Sequence, residues 1–304
     1  MGKKEIYDVL IIGSGISAFA AAIYTKRLNL KTIIIGREIG GTLVKVDWVE
    51  NYPGFKRVTG AELVNKVIEH AKEYDIEIYN GEVLRVSKKN NNFIIETRKK
   101  SFTSKTIIFC TGSERRKLKI PGEKEFENKG VHYCGMCDAP MYKNKNVAVI
   151  GGSDSAIKDA ILISKYAKKV YLISRSAIKA EHANKEMLKR EKKIETILNA
   201  KLKEIKGNQK ANSLILEINN KQKILDIDGI FIDIGQLPAS ALTKDIGISL
   251  NSFGEIIIDK ESKTNISGVY AAGDVTDTKF KQAITGVGEA VKAVYSAYDY
   301  LNKK

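Results

Sequence analysis

The sequence predicts an α/β fold with two doubly wound units, each a parallel sheet flanked by helices. Three observations carry that prediction. One strand–turn–helix–strand pattern occurs twice at a constant offset: Gly13 recurs as Gly151 and Arg37 as Arg175, each 138 residues on. The strands of both copies are short apolar runs without alternation, as expected of parallel strands buried on both faces. The length, 304 residues, suits about two domains.

The first copy opens with a strand over 9–12, turns at Gly13-Ser14-Gly15, and continues in a helix rich in Ala18, Ala20, Ala21 and Ala22. Those small side chains allow the helix to lie close on a sheet. A second strand over 32–35 ends at Gly36 and Arg37. The second copy has a strand over 147–150, the turn Gly151-Gly152-Ser153-Asp154-Ser155, and a helix with Ile157, Ala160, Ile161 and Ser164 at helical spacing. Its second strand, 170–173, ends at Ser174 and Arg175.

This arrangement predicts two Rossmann-like dinucleotide-binding domains. Glycines permit the tight turn and let backbone approach a pyrophosphate, and the helix N-terminus offers free N–H groups and a positive dipole end. Gly13-x-Gly15-x-x-Ala18 satisfies the fingerprint; a glycine turn that binds nothing is the alternative. In the second copy Ser153 replaces the glycine at which backbone and pyrophosphate come closest. Arg175 and Lys179 suit a 2′-phosphate, hence NADPH over NADH, against the plainer reading of two surface cations. Late in the chain an apolar strand over 269–272 runs into Gly273-Asp274. Asp274 there is placed to accept hydrogen bonds from sugar or ribityl hydroxyls, or else to cap a turn.

Composition narrows the function. The net charge is +15, from 51 basic and 36 acidic residues, but the basic residues are scattered and form no stripe interleaved with aromatics. Nucleic-acid binding is therefore not expected. No apolar run approaches the ~18 residues of a membrane span, and residues 1–8 are charged and lead straight into a strand, so neither a membrane anchor nor a leader is expected.

Three cysteines remain. Cys110 ends an apolar strand and reads as a small core residue. Cys134 and Cys137 form a lone C-x-x-C. With three histidines in the chain, His70, His132 and His182, it points to redox chemistry and not to a metal site. The thiolate is the reactive form, so a base is needed nearby. Asp138 follows directly and, partly desolvated, suits proton transfer. Gly135 leaves room for a flat ring or a partner loop. His132 is either a proton shuttle or a structural histidine, and Trp48 packs near a cofactor or fills core.

Tyr133-Cys134-Gly135-Met136-Cys137-Asp138, placed shortly before the second glycine turn, resembles the low-molecular-weight thioredoxin reductases. Gly40-Gly41-Thr42-Leu43, Val49-Glu50-Asn51-Tyr52-Pro53-Gly54, Cys110-Thr111-Gly112, Gly235-Gln236-Leu237-Pro238, Gly273-Asp274-Val275 and Lys281-Gln282-Ala283 extend the resemblance over nearly the whole chain. It implies an FAD domain built from 1–114 and 247–304, with an NAD(P)H-binding-like domain, 115–246, inserted through hinges near 114–119 and 242–246. It implies FAD contacts at Gly13, Ser14, Gly15, Ala18, Gly36, Arg37, Gly40, Gly41, Thr42, Asn51, Val83, Gly112, Gly273, Asp274, Lys281, Gln282 and Ala283. The pyridine nucleotide would meet Gly151, Gly152, Ser153, Asp154, Ser155, Arg175 and Lys179. Cys137 would face the flavin, Cys134 would attack the substrate disulfide, and Asp138 would be the general acid and base. A cytoplasmic homodimer reducing thioredoxin, or a thioredoxin-like or glutaredoxin-like protein, is the implied setting.

The chain departs from the family in the second unit. The family's Gly-Gly-Gly turn is broken by Ser153. Its His-Arg-Arg-x-x-x-Arg cluster is reduced to Ser174-Arg175-Ser176 with Lys179, and lysine lacks the bidentate fork of arginine. These changes leave open a different donor, ferredoxin or a deazaflavin, as well as a dithiol oxidase and a catalytically silent redox-sensing partner.

Overall fold

The computed structural model describes residues 5–46 and 48–303; residues 1–4, part of the segment on which the reading of no leader rests, lie outside them. The chain divides into two compact units, Met1–Glu114 with Leu237–Lys304, and Arg115–Gln236.

In the first unit four parallel strands lie in the order Glu77–Asn80, Thr32–Gly36, Ile6–Ile12, Ser101–Phe109. The last of these is shared: its end pairs in parallel with Val269–Ala271, and its first half pairs antiparallel with Asn92–Thr97, which in turn pairs with Val83–Lys89. Ile6–Ile12 shows why its apolar run does not alternate. Val9 and Ile11 enter one core with the alanine face of helix Ile16–Arg27 and Ala290, Ala293 and Ala297 of helix Ala283–Asn302. Leu10 and Ile12 enter a second core with Phe93, Ile95 and Phe109.

The second unit repeats the design. Ile194–Ile197, Lys169–Ile173, Asn146–Ile150, Gly229–Ile232 and Val131–His132 lie in that order, all parallel. Val147 and Val149 pack on helix Asp154–Ser164 through Ala156, Ile157 and Ala160. Ala148 and Ile150 face an antiparallel meander of Ala200–Gly207, Ala211–Ile218 and Lys221–Asp226. The sheets reverse strand order beside Ile6–Ile12 and Asn146–Ile150, and ligands of such sheets bind beyond the carboxyl ends at that point. Gly13 and Gly151 stand at those ends.

The chain crosses between units at Glu114–Arg115 and at Gln236–Leu237, so the second crossing falls earlier than residue 246. Two features account for the difference. Gln236–Pro238 pairs as a short ribbon with Ser113–Arg115. The 3-10 segment Ala241–Ile246 belongs to the first unit, where Leu242 and Ile246 pack on its core and Asp245 lies 3.9 Å from Arg85. Among the described residues no helix is long and apolar enough to cross a membrane.

Candidate active site

The first unit carries a cradle at the end of Ile6–Ile12. Gly13 has φ +117°, and a Cβ there would stand 2.1 Å from the Cys110 carbonyl, so only glycine fits. Gly15 begins helix Ile16–Arg27, and a Cβ on it would meet only Gly41 Cα, at 4.0 Å. That open side lies at a helix start with no side-chain cap and no acidic residue in its first turn; Ala18 N–H turns back to the Gly15 carbonyl, 3.0 Å, and the N–H groups ahead of it suit an anion. The opposite wall is Gly40-Gly41, tied by a hydrogen bond from Gly40 N–H to the Ser14 carbonyl, 2.7 Å. The cradle thus fits a dinucleotide pyrophosphate.

Around it the sequence-predicted residues take distinct places. The Ser14 hydroxyl is buried and donates to the Glu38 carbonyl, 2.8 Å, so it shapes the loop. Gly36 lies against Ser14, because a Cβ there would be 2.4 Å from Ser14 Oγ. Ala18 and Val83 are core residues, and Thr42 is exposed on the turn Gly41–Lys45. Arg37 is exposed beside Glu38 and Glu82, at 3.5 and 3.8 Å. Glu38 was missed, although an acidic residue some twenty positions past the glycine fingerprint is the expected ribose acceptor.

Residues far apart in sequence complete the rim. Asn51 Nδ2 donates to Gln282 Oε1 at 2.9 Å, and Gln282 caps helix Ala283–Asn302. Ala283 packs with Ile16 and Val49. Lys281 donates to the Asp274 carbonyl, 2.9 Å, and pairs with Glu255, so it braces the strand end. Gly273 N–H donates to Glu289, 2.8 Å, and Gly112 accepts from Ala239 N–H, 3.0 Å. Glu255 and Glu289 carry no sequence signal; only the fold brings them here. Trp48 is 43% exposed with the Arg57 guanidinium 4.0 Å over its ring, so it does not fill core.

The glycine turn of the second unit is as tight at its first glycine as that of the first unit. A Cβ on Gly151 would lie 2.2 Å from the Asp233 carbonyl, and one on Gly152 would lie 2.5 Å from Ser174 Oγ. Ser153 caps helix Asp154–Ser164, and its hydroxyl is 3.1 Å from that of Ser155. Asp154 accepts from Asn184 and from Glu181 N–H, contacts that hold its carboxyl below the usual range. Its carboxylate thus ties the turn to Glu181 and Asn184 at the beginning of helix His182–Arg190, while the Ser153 hydroxyl takes the Ala156 N–H. Arg175 and Lys179 are exposed, and Lys179 N–H donates to the Gly152 carbonyl, 2.8 Å, which keeps their loop beside the turn.

Cys134 and Cys137 are joined as a disulfide, with Cα atoms 5.3 Å apart. Cys134 caps the short helix Gly135–Asp138, and its sulfur accepts from Cys137 N–H at 3.2 Å, a contact that favours a thiolate when the bond opens. Gly135 serves a neighbour not foreseen from sequence. A Cβ on it would be 2.6 Å from the carboxyl carbon of Asp159, which accepts from Gly135 N–H at 3.2 Å. Burial, then the nearby Asp233 charge, push Asp159 up to about 6 against the opposing pull of Gly135 N–H and Arg115. Asp138 lies 3.2 Å from His132 Nδ1, and His132 Nε2 is 2.7 Å from the Tyr142 hydroxyl. Cys110 is buried, and burial followed by Glu289 drives its thiol far above the ordinary range, so it is inert. Among the described residues no cluster of three or more metal-ligating side chains occurs.

Paired nucleotide-type units with a formed C-x-x-C disulfide on one of them define a dinucleotide-dependent disulfide oxidoreductase. Comparison with known proteins agrees. The model of the pyridine nucleotide-disulphide oxidoreductase family matches residues 7–290, and the chain belongs to that family. Membership makes it an oxidoreductase and implies FAD and a pyridine nucleotide as redox groups. Thioredoxin reductase from Streptococcus pyogenes is 32% identical with a TM-score of 0.93, over 99% of this chain and 100% of that one. A ferredoxin-flavin thioredoxin reductase from Clostridium acetobutylicum is 32% identical with a TM-score of 0.55, over 98% of each chain. The F component of alkyl hydroperoxide reductase from Staphylococcus aureus is 38% identical over 98% of this chain, which spans 60% of that relative's length.

Proposed function

We propose that the chain is a thioredoxin-disulfide reductase-type flavoenzyme, a cytoplasmic homodimer that passes electrons from NADPH through FAD to Cys134–Cys137 and on to the disulfide of a thioredoxin-like or glutaredoxin-like protein. The observation that carries this reading is the disulfide on its own short helix with Asp138 attached, in a chain that also holds the open cradle at Gly15. Bound FAD would supply two-electron transfer.

Each residue then has a stated task. The helix N–H groups after Gly15, with Gly40 and Gly41 opposite, hold the pyrophosphate. Glu38 takes ribose hydroxyls, Asp274 the ribityl chain, and Asn51, Gln282 and Ala283 line the ring. Cys134 attacks the partner disulfide. Cys137 then displaces the mixed disulfide, restoring the internal bond and releasing a dithiol partner. Asp138 moves the proton at the sulfur. Arg175 and Lys179 take the 2′-phosphate of NADPH.

A second reading concerns the donor alone. Ser153 caps the helix start in the second unit where the first has the uncapped Gly15, which favours ferredoxin or a deazaflavin as electron source, or operation as a dithiol oxidase. Anaerobic titration of the purified flavoprotein with NADPH and then NADH separates the two. Bleaching at low excess of NADPH supports the first reading. Bleaching by dithionite alone overturns it.

A further inference from the structure

His132 is a buried side chain that the functional reading does not use, and both of its ring nitrogens are engaged. It is 5% exposed, with Nδ1 3.2 Å from Asp138 Oδ2 and Nε2 2.7 Å from the Tyr142 hydroxyl. Phe231 stacks on the imidazole, with ring centroids 5.3 Å apart and planes at 30°, which fixes its orientation. Tyr142 and His132 also line a surface depression of about 240 Å³ with Lys129, Lys145 and Asp228. Protein groups thus run without a break from Asp138, the residue after Cys137, to a solvent-facing hollow.

The same heavy-atom arrangement satisfies two protonation states. With Asp138 ionised, Nδ1–H donates to its carboxylate and the Tyr142 O–H donates to Nε2. With Asp138 protonated, its O–H donates to Nδ1, and Nε2–H donates to the Tyr142 oxygen. One concerted shift of protons converts either pattern into the other, with a proton taken from or given to solvent at Tyr142. Tyr142 need not ionise: burial, then the Asp138 and Asp228 carboxylates, hold its hydroxyl protonated far above the ordinary range. Lys145 lies 5.5 Å from its ring centroid, and Lys129 and Lys210 line the same depression.

We infer that Asp138, His132 and Tyr142 form a proton relay connecting the Cys134–Cys137 dithiol with solvent in that depression. The inference rests on the functional reading above. Oxidation of the dithiol by an external disulfide moves two electrons to the acceptor: its S–S bond breaks, the Cys134–Cys137 bond forms, two protons leave the cysteines, and the acceptor sulfurs depart as thiolates that take protons from solvent according to their own basicity. The relay gives these protons a path through Asp138 whatever the size of the acceptor. His132 and Tyr142 act through Asp138, so they are relay residues and not catalytic ones.

The test uses the full chain, reduced with dithiothreitol, desalted without oxygen, and mixed with the chromogenic disulfide 5,5′-dithiobis(2-nitrobenzoate). The exchange rate is followed across pH in water and in deuterium oxide. His132→Asn keeps a donor toward Asp138 and an acceptor toward Tyr142 but cannot pass a proton. A fall of about ten-fold is expected, with an altered pH profile and solvent isotope effect. Tyr142→Phe should behave alike. His132→Ala should recover with millimolar imidazole, and if it does not fold the other two variants carry the test. His132→Asn with the wild-type rate and pH profile overturns the relay alone. A wild-type dithiol that fails to exchange overturns the functional reading and the relay with it.

Discussion

Asp159 is a carboxyl that burial keeps protonated into mildly acidic pH. Its carboxyl is raised from 3.8 to about 6 by burial and then by Asp233, so the folded chain holds a proton that the unfolded chain has released. Between those values stability falls as pH rises, because the folded state binds more protons. Asp159→Asn keeps an acceptor for Gly135 N–H and removes the charge. It should match wild type near pH 4 and gain on it up to pH 6, then stay more stable by up to roughly 3 kcal/mol; urea midpoints measured on both proteins across that range check this. Cys134→Ser should abolish reduction of a protein disulfide while leaving the flavin reducible, seen as bleaching without turnover. Cys134, Cys137, Gly13 and Gly15 were legible in the sequence because their chemistry lies in local spacing. Asp159, Glu289 and Tyr142 were not, because each acquires its role from a neighbour that only the folded chain supplies, whereas Glu38 is legible from its spacing after Gly15. Gly135 shows the difference well: its smallness was legible, but the carboxyl that requires it comes from Asp159, on another helix.

At the scale of elements, the two glycine turns have the same plan and different surroundings. The helix after Gly15 starts uncapped, whereas the helix after Ser153 starts with a side-chain cap and an acidic residue. If the second turn holds NADPH, Arg175→Ala should weaken NADPH about ten-fold, roughly the loss of one charged hydrogen bond, and leave NADH nearly unchanged. The ratio of the two dissociation constants, from anaerobic flavin titration, is the measurement. Parallel strands were readable as apolar runs because both faces are covered. The hairpin of Val83–Lys89 with Asn92–Thr97 and the meander of the second unit carry no motif. Their polar faces, such as Lys88 and Lys89 or Lys221 and Lys223, leave the hydrophobic signal weak. The second crossing was misplaced for a related reason: Ala241–Ile246 looks like linker in sequence and is recruited to a core by Leu242 and Ile246.

At the scale of the molecule, the second unit is one unbroken stretch of chain with cores on both faces of its sheet. Expressed alone, residues 115–236 should fold cooperatively and form the Cys134–Cys137 disulfide while remaining colourless. A thermal melt followed by circular dichroism, with thiol counting before and after reduction, tests this; a fragment that does not melt cooperatively refutes the independence of the unit. The first unit is discontinuous, and that has a consequence during synthesis. Chain emerges from the ribosome from its N-terminus, and domains fold as their residues become available. All of 115–236 is made before Val269–Ala271, Gly273 and helix Ala283–Asn302 exist. The nascent protein can therefore complete its redox-disulfide unit while the rim of the FAD cradle that Gly273, Gln282 and Ala283 supply has yet to be made.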